Sequence, residues 1–273
     1  MKRAFTVYGL IALFLGALLF PFYWMLVTSL KPNQELYNVK ANPLFVTAPS
    51  FVHYTYLFTK TLFARWSINT LVVSIVSTLI SLTAGTLAGY ALARLRFRGG
   101  GVLGITIFIS YLVPPTLLFI PLAEVVRTLG LLDSPLALIL TYPTFLIPFC
   151  TWLMMSYFKT IPPDLEECAR IDGASRLQAM VRVALPLAIP GVLSAGIFAF
   201  TLSWNEFLYA LVFLTSTSQK TIPVGVTADL VKGDVFFWGS LMAGALLGSI
   251  PVAVVYSFFV DNYVRALTGA LKG

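Results

Sequence analysis

Long uncharged stretches separated by short charged ones organise this chain. Marking every Asp, Glu, Lys and Arg leaves six gaps: Ala4 to Leu30, Trp66 to Ala93, Gly99 to Ala123, Ser134 to Phe158, Val183 to Asn205 and Val235 to Val260. A helix needs about 20 such residues to cross a hydrocarbon core of roughly 30 Å, and every gap meets that length. None shows the alternation of a barrel strand, and backbone in lipid must satisfy its own hydrogen bonds. The pattern predicts an all-α membrane protein with six transmembrane helices in a single domain over residues 1–273.

Composition agrees. Of 273 residues, 58% are hydrophobic and 11% charged, against roughly a quarter charged in an ordinary soluble domain. The formal charge of +7 reflects Lys and Arg in cytoplasmic loops, as membrane proteins commonly show, rather than nucleic-acid binding. Lys2 and Arg3 precede the first gap, and Arg94, Arg96 and Arg98 fill the second connection, which places both on the cytoplasmic side. Six spans return the C-terminus, with Arg265 and Lys272, to that side. With Lys159, Arg170, Arg176 and Arg182, the topology puts 11 of 18 Lys and Arg inside, a modest bias. A cleaved signal peptide is the competing reading of the first run, but its 27 residues, 4 to 30, far exceed a signal core of about 7 to 15. Cys150 falls inside the fourth span and Cys168 in a cytoplasmic connection, so two free thiols are expected.

Among the connections, Lys31 to Arg65 mixes Pro, Asn, Thr and aromatics and reads as an ordered external loop or a short interfacial helix. Glu124 to Asp133 is brief, and the segment around Ser216 to Asp234 reads as a longer polar loop. Prolines at 114, 115, 121, 143, 148 and 251 fall in or near spans, where they bend helices or shape packing.

Catalytic chemistry is sparse. His53 is the only histidine, which excludes a zinc HExxH motif, and no Gly-Lys-Ser/Thr triplet supplies a phosphate-binding loop. Any energy source is external to the chain, which reads as a non-enzyme without a cofactor of its own.

The most charge-dense segment lies between the fourth and fifth spans, from about Lys159 to Pro190. Pro163 suits a first helical position, with Asp164, Glu166 and Glu167 in the first turn, where the helix dipole favours negative charge. Leu165, Cys168, Ala169 and Asp172 then share one small, partly apolar face, and Gly173 ends the helix and permits a sharp turn into a second one. The run Glu167-Cys168-Ala169-Arg170-Ile171-Asp172-Gly173-Ala174, followed by Leu185-Pro186 and Pro190, resembles the EAA motif of binding-protein-dependent ATP-binding-cassette importers. Cys168 departs from the Ala of the motif while staying small, and Met180 stands where such loops often carry Phe. The resemblance covers about residues 66–260, the core of the domain, and is greatest to maltose-type permease subunits of carbohydrate importers.

That resemblance implies a type I importer permease fold in a bacterial or archaeal inner membrane. It implies a coupling helix made by Glu167, Cys168, Ala169, Asp172, Gly173 and Ala174, seated in a cleft of a cytoplasmic ATPase where Glu167 forms an ion pair. Implied partners are a second permease subunit, a dimer of ATPases carrying ATP and Mg, and an extracytoplasmic solute-binding protein.

For the solute pathway, Glu206 interrupts an otherwise uncharged run beside Trp204 and Asn205, and an ionisable residue at membrane depth is a functional candidate. Asn205 and Glu206 can hydrogen-bond sugar hydroxyls, while Trp204 and Tyr209 offer flat faces to a pyranose. The alternative is that Glu206 pairs with a neighbouring helix. No Lys or Arg lies within a predicted span, which favours a neutral sugar; a polyol, a sugar phosphate or a polyamine remains the rival, since a partner permease can supply charge. An ion-driven carrier is the reading from another class, but midplane relay groups and inverted repeats are not evident.

Overall fold

The computed structural model describes the backbone of residues 2–233 and 235–269 and the side chains of residues 6–233 and 235–258. The side chains of Lys2, Arg3 and Arg265, and Lys272 altogether, lie outside the described residues. In chain order the elements are α1 (Lys2–Leu30), α2 (Asn33–Leu36), α3 (Val52–Lys60), α4 (Phe63–Arg94), α5 (Gly100–Leu112), α6 (Pro115–Thr128), α7 (Pro135–Thr141) and α8 (Pro143–Thr160). There follow α9 (Asp164–Ile171), α10 (Arg176–Ala179), a π-helical turn (Met180–Ala184), α11 (Leu185–Leu187), α12 (Ile189–Trp204), α13 (Leu208–Phe213) and α14 (Ile222–Leu230). A hairpin of β1 (Val231–Lys232) and β2 (Val235–Phe236) precedes α15 (Trp238–Gly269).

Four of the predicted spans run without a sharp bend: Thr6–Leu30, Phe63–Arg94, Pro135–Thr160, in which α7 passes into α8 at Tyr142, and Trp238–Phe258. The third and fifth are bent pairs. α5 and α6 meet at 97°, and Arg176–Leu187 meets α12 at 75°. The first bend follows from Pro114-Pro115: a residue before proline is pushed out of the helical region, and Val113 (φ −69, ψ 120) and Pro114 (φ −59, ψ 128) are both extended. Pro21, Pro121, Pro148 and Pro251, by contrast, sit inside continuous helices.

The chain divides into two compact units. One comprises Met1–Ser67 with Thr221–Pro251, the other Ile68–Lys220 with Val252–Gly273. In the first, the segment after α1 is ordered: the buried Lys31 Nζ donates to the carbonyls of Asn42 (2.6 Å) and Pro43 (3.0 Å). His53 on α3 is buried between Lys31 O, 2.9 Å from Nε2, and Ser240 Oγ, 3.2 Å from Nδ1. A carbonyl only accepts, so Nε2 carries the proton and Nδ1 accepts from the serine. Burial holds the pKa of His53 below its usual value. The segment expected to be a polar loop before the sixth span contains α14, whose Ile222, Val224, Val226 and Leu230 are buried. Its nine residues are apolar enough to pack, through Gly225 against the Trp66 ring, but too short to span.

In the second unit α8 packs against α5 and α12. Close approach depends on glycine: a Cβ at Gly85 would stand 2.4 Å from Cys150 Cβ, and one at Gly89 would stand 2.8 Å from Met155 N. Gly85 and Gly89 form the Gly-xxx-Gly spacing that lets membrane helices touch backbone to backbone.

Candidate functional site: the α9 loop and the α12–α13 junction

Helix α9 is built as its sequence dictates at both ends. The Pro163 carbonyl accepts from the amides of Glu166 (3.0 Å) and Glu167 (3.1 Å), and Asp164, Glu166 and Glu167 occupy the first turn. At the other end Gly173 takes φ +93, a region closed to most side chains. Gly173 N then bonds Arg170 O (3.1 Å) and Ala174 N bonds Ala169 O (3.0 Å), the two bonds of a Schellman ending. One residue later Ser175 opens α10 with a capping box: its hydroxyl accepts from Gln178 N (3.3 Å) and its amide donates to Gln178 Oε1 (2.8 Å). Met180 is buried within the chain at the start of the π-helical turn.

Two adjacent glutamates on α9 have opposite surroundings. Glu166 is 6% exposed; its Oε1 accepts from Arg94 Nε (2.6 Å) and its Oε2 from the Tyr90 hydroxyl (2.6 Å). Arg94 also donates to Ile161 O (2.6 Å), so the last turn of α4 holds both α9 and the end of α8. Glu167 is exposed, as are Leu165, Cys168, Asp172 and Gly173, with Ala169 and Ala174 half-buried. The face expected to dock therefore carries no covering from its own chain among the described residues. Sequence reasoning missed Tyr90, Arg94 and Glu166 as a cluster. The available signal was Tyr90 and Arg94 at i and i+4, one above the other at a helix end, opposite a loop rich in carboxylates.

The second group lies where α12 gives way to α13. Glu206 is half-buried, and its carboxylate accepts from the Tyr142 hydroxyl (2.8 Å), Tyr209 N (2.8 Å) and Ala210 N (3.2 Å). Two of these are amides that the first turn of α13 leaves without helical partners. Trp204 is 4% exposed with Phe200 at 5.4 Å between ring centroids, and Tyr209 is fully buried with its hydroxyl on Pro115 O at 3.1 Å. Neither ring face is open in this conformation. Asn205 is exposed, its amide bonded to Thr201 O at 2.9 Å.

Apolar spans, two of them bent, with a helix C-capped at Gly173 between the fourth and fifth, mark the chain as a membrane-embedded protein. The chain belongs to the family of binding-protein-dependent transport system inner membrane components, whose profile matches residues 81–269. It is 39% identical to the sulfoquinovosyl glycerol transport system permease protein SmoH of Agrobacterium fabrum, over 93% of this chain and 89% of that one. It is 36% identical to the trehalose transport system permease protein SugB of Mycobacterium tuberculosis, over 96% and 95%. Its fold matches a chain of the bacterial ABC transporter that imports the acidic polysaccharide alginate, with TM-score 0.80 and 24% identity over 95% of this chain and 96% of the other. The chain is thus a permease subunit of an ABC importer, a transport component rather than an enzyme.

Proposed function

We propose that this permease forms half of the pathway of an ATP-driven carbohydrate importer and that α9 docks in a cleft of a separate ATPase. The observation that carries the docking is the division of α9: Glu166 anchors one side to α4, while Glu167, Cys168 and Asp172 stand exposed on the other. Gly173 and Ala174 turn the chain away behind that face, and Ala169 keeps it low. Glu167 pairs with a cation of the ATPase, whose own sites hold ATP and Mg. A second permease completes the pathway, a solute-binding protein delivers from outside, and both termini of this chain are cytoplasmic.

A sugar as solute is supported by the relatives, two of which are named for glycosides at 36% identity or more. In this chain Asn205 is the exposed polar group beside the α12–α13 junction and contacts the sugar, while Glu206, Trp204 and Tyr209 shape the wall behind it. The absence of Lys and Arg from the predicted spans favours a neutral sugar over a sugar phosphate. Affinity purification from the native membrane tests the docking. An ATPase co-purifying with the wild type and lost from Glu167→Arg, Asp172→Arg supports it; a wild-type complex without any ATPase overturns it. Uptake of a panel of neutral sugars, polyols and sugar phosphates then identifies the solute class.

A further inference from the structure

Where α4 and α8 end and α5 begins, the second unit holds a cavity of about 680 Å³. Its lining is sorted by chemistry along its length. Arg96 and Arg98 follow the last turn of α4, and Lys159 stands in the last turn of α8, so all three cations line the cavity at the helix ends. None of them pairs with an acidic side chain among the described residues. Farther along the helices, Phe108 and Trp152 form one wall of the cavity with ring centroids 4.4 Å apart. Phe108 lies eight residues along α5 from Gly100, and Trp152 seven residues back along α8 from Lys159, which sets the aromatic wall about 10–12 Å from the cationic mouth at 1.5 Å per residue. Gly100, Gly101 and Gly104 on the near turns of α5 leave the space between them unfilled.

We propose that this cavity binds one anionic glycerophospholipid, its phosphate held by Arg96, Arg98 and Lys159 and its proximal acyl chain lying along Phe108 and Trp152. Three like charges gathered beside apolar walls repel one another until an anion joins them. An anion with a hydrocarbon chain matches both ends of the cavity, whereas free phosphate matches only the mouth. Basic pockets between spans on the cytoplasmic side, facing the leaflet rich in anionic lipid, are where such headgroups bind. The choice of leaflet rests on the cytoplasmic placement proposed above for the Arg94–Gly99 connection. Lipid retention in detergent reports on the cavity whichever solute or ATPase the permease serves.

The test titrates the purified complex containing the full chain with phosphatidylglycerol or phosphatidylcholine and counts retained lipid by native mass spectrometry. Phosphatidylglycerol is expected to be held in preference. Arg96→Gln, Arg98→Gln and Lys159→Gln each weaken it about fivefold, and all three together about a hundredfold. Gly104→Phe expels it with every charge in place; a Cβ there meets only Leu92 side-chain atoms at 3.8 and 3.9 Å, so the ring enters the cavity. Melting curves accompany each variant, and the single changes, at exposed positions, preserve the test if the triple variant unfolds. Equal retention of both lipids, or retention untouched by the charge variants, overturns the proposal. So does displacement by excess inorganic phosphate with no effect of Gly104→Phe, because the site then holds an anion without a chain. Loss of a protein subunit from the charge variants at unchanged lipid retention also overturns it and assigns the cations to a protein contact.

Discussion

The α9 loop and the α12–α13 junction each set carboxylates beside a short helix, and they use them differently. On α9 the work is divided between neighbours: Glu166 is enclosed by Tyr90 and Arg94, and Glu167 is left outside. At the junction one carboxylate does everything, since Glu206 takes the Tyr142 hydroxyl and two amides of α13. A carboxylate whose oxygens are all taken holds the architecture together. One left free beside an anchored neighbour marks a surface for something else. The lesson is that charge at membrane depth or in a loop indicates function only once its partners are counted.

The largest expected effect falls on the anchor. Glu166→Ala leaves Arg94 enclosed without its carboxylate, a change that costs about 3–5 kcal/mol in buried pairs, and the melting temperature of the purified permease should fall accordingly. Glu166→Gln retains a partner for Tyr90 and should fall less. Next comes the junction, where Glu206→Ala strands the Tyr142 hydroxyl and the α13 amides at about 1–3 kcal/mol. Glu206→Gln sharpens the contrast: unchanged melting with lost solute uptake moves Glu206 from architecture to pathway. His53 gives a smaller, pH-dependent effect. Its pKa is depressed in the folded chain, so below 6.5 the unfolded chain binds more protons; stability is full above that pH and declines as pH falls through it. Melting curves above and below 6.5 should show the slope, and His53→Gln should flatten it. The smallest effect on stability belongs to Glu167→Ala, within about 0.5 kcal/mol of the wild type, yet this variant should lose the ATPase on purification. A large drop in its melting temperature breaks the comparison.

The spans were legible because a bilayer demands length without charge, and counting charges finds that directly. Pro114-Pro115 marked a site for the first bend but not its 97° angle, and the charge count runs straight through Ala188 without registering the second. In the loop, the start of α9 at Pro163, its stop at Gly173 and the small face between were readable from local rules, since caps and turns depend on neighbours in sequence. The Tyr90–Arg94–Glu166 cluster joins residues more than seventy positions apart, and only the approach of α4 to the loop selects Glu166 over Glu167. Trp204 and Tyr209 fall on either side of the same limit. Their aromatic faces suggested sugar stacking; the Phe200 neighbour of Trp204 is one helical turn away and was readable, whereas the contact of Tyr209 with Pro115 spans 94 positions and the local sequence does not place it.

The Arg94–Glu166 pair has a mechanical consequence. A force applied to α9 passes along the covalent chain, back to α8 and onward through α10 and the π-helical turn to α12, and also sideways, through Glu166 to Arg94 and Tyr90 at the end of α4. The covalent and sideways routes act in parallel, so displacement of α9 loads α4 as well as the helices joined to it in sequence, and the 75° bend at Ala188 does not stand alone between α9 and the membrane. Cutting the ion pair leaves the sideways route to the single Tyr90 hydrogen bond, and the stroke delivered to α4 should shrink even where the stroke at α9 is unchanged.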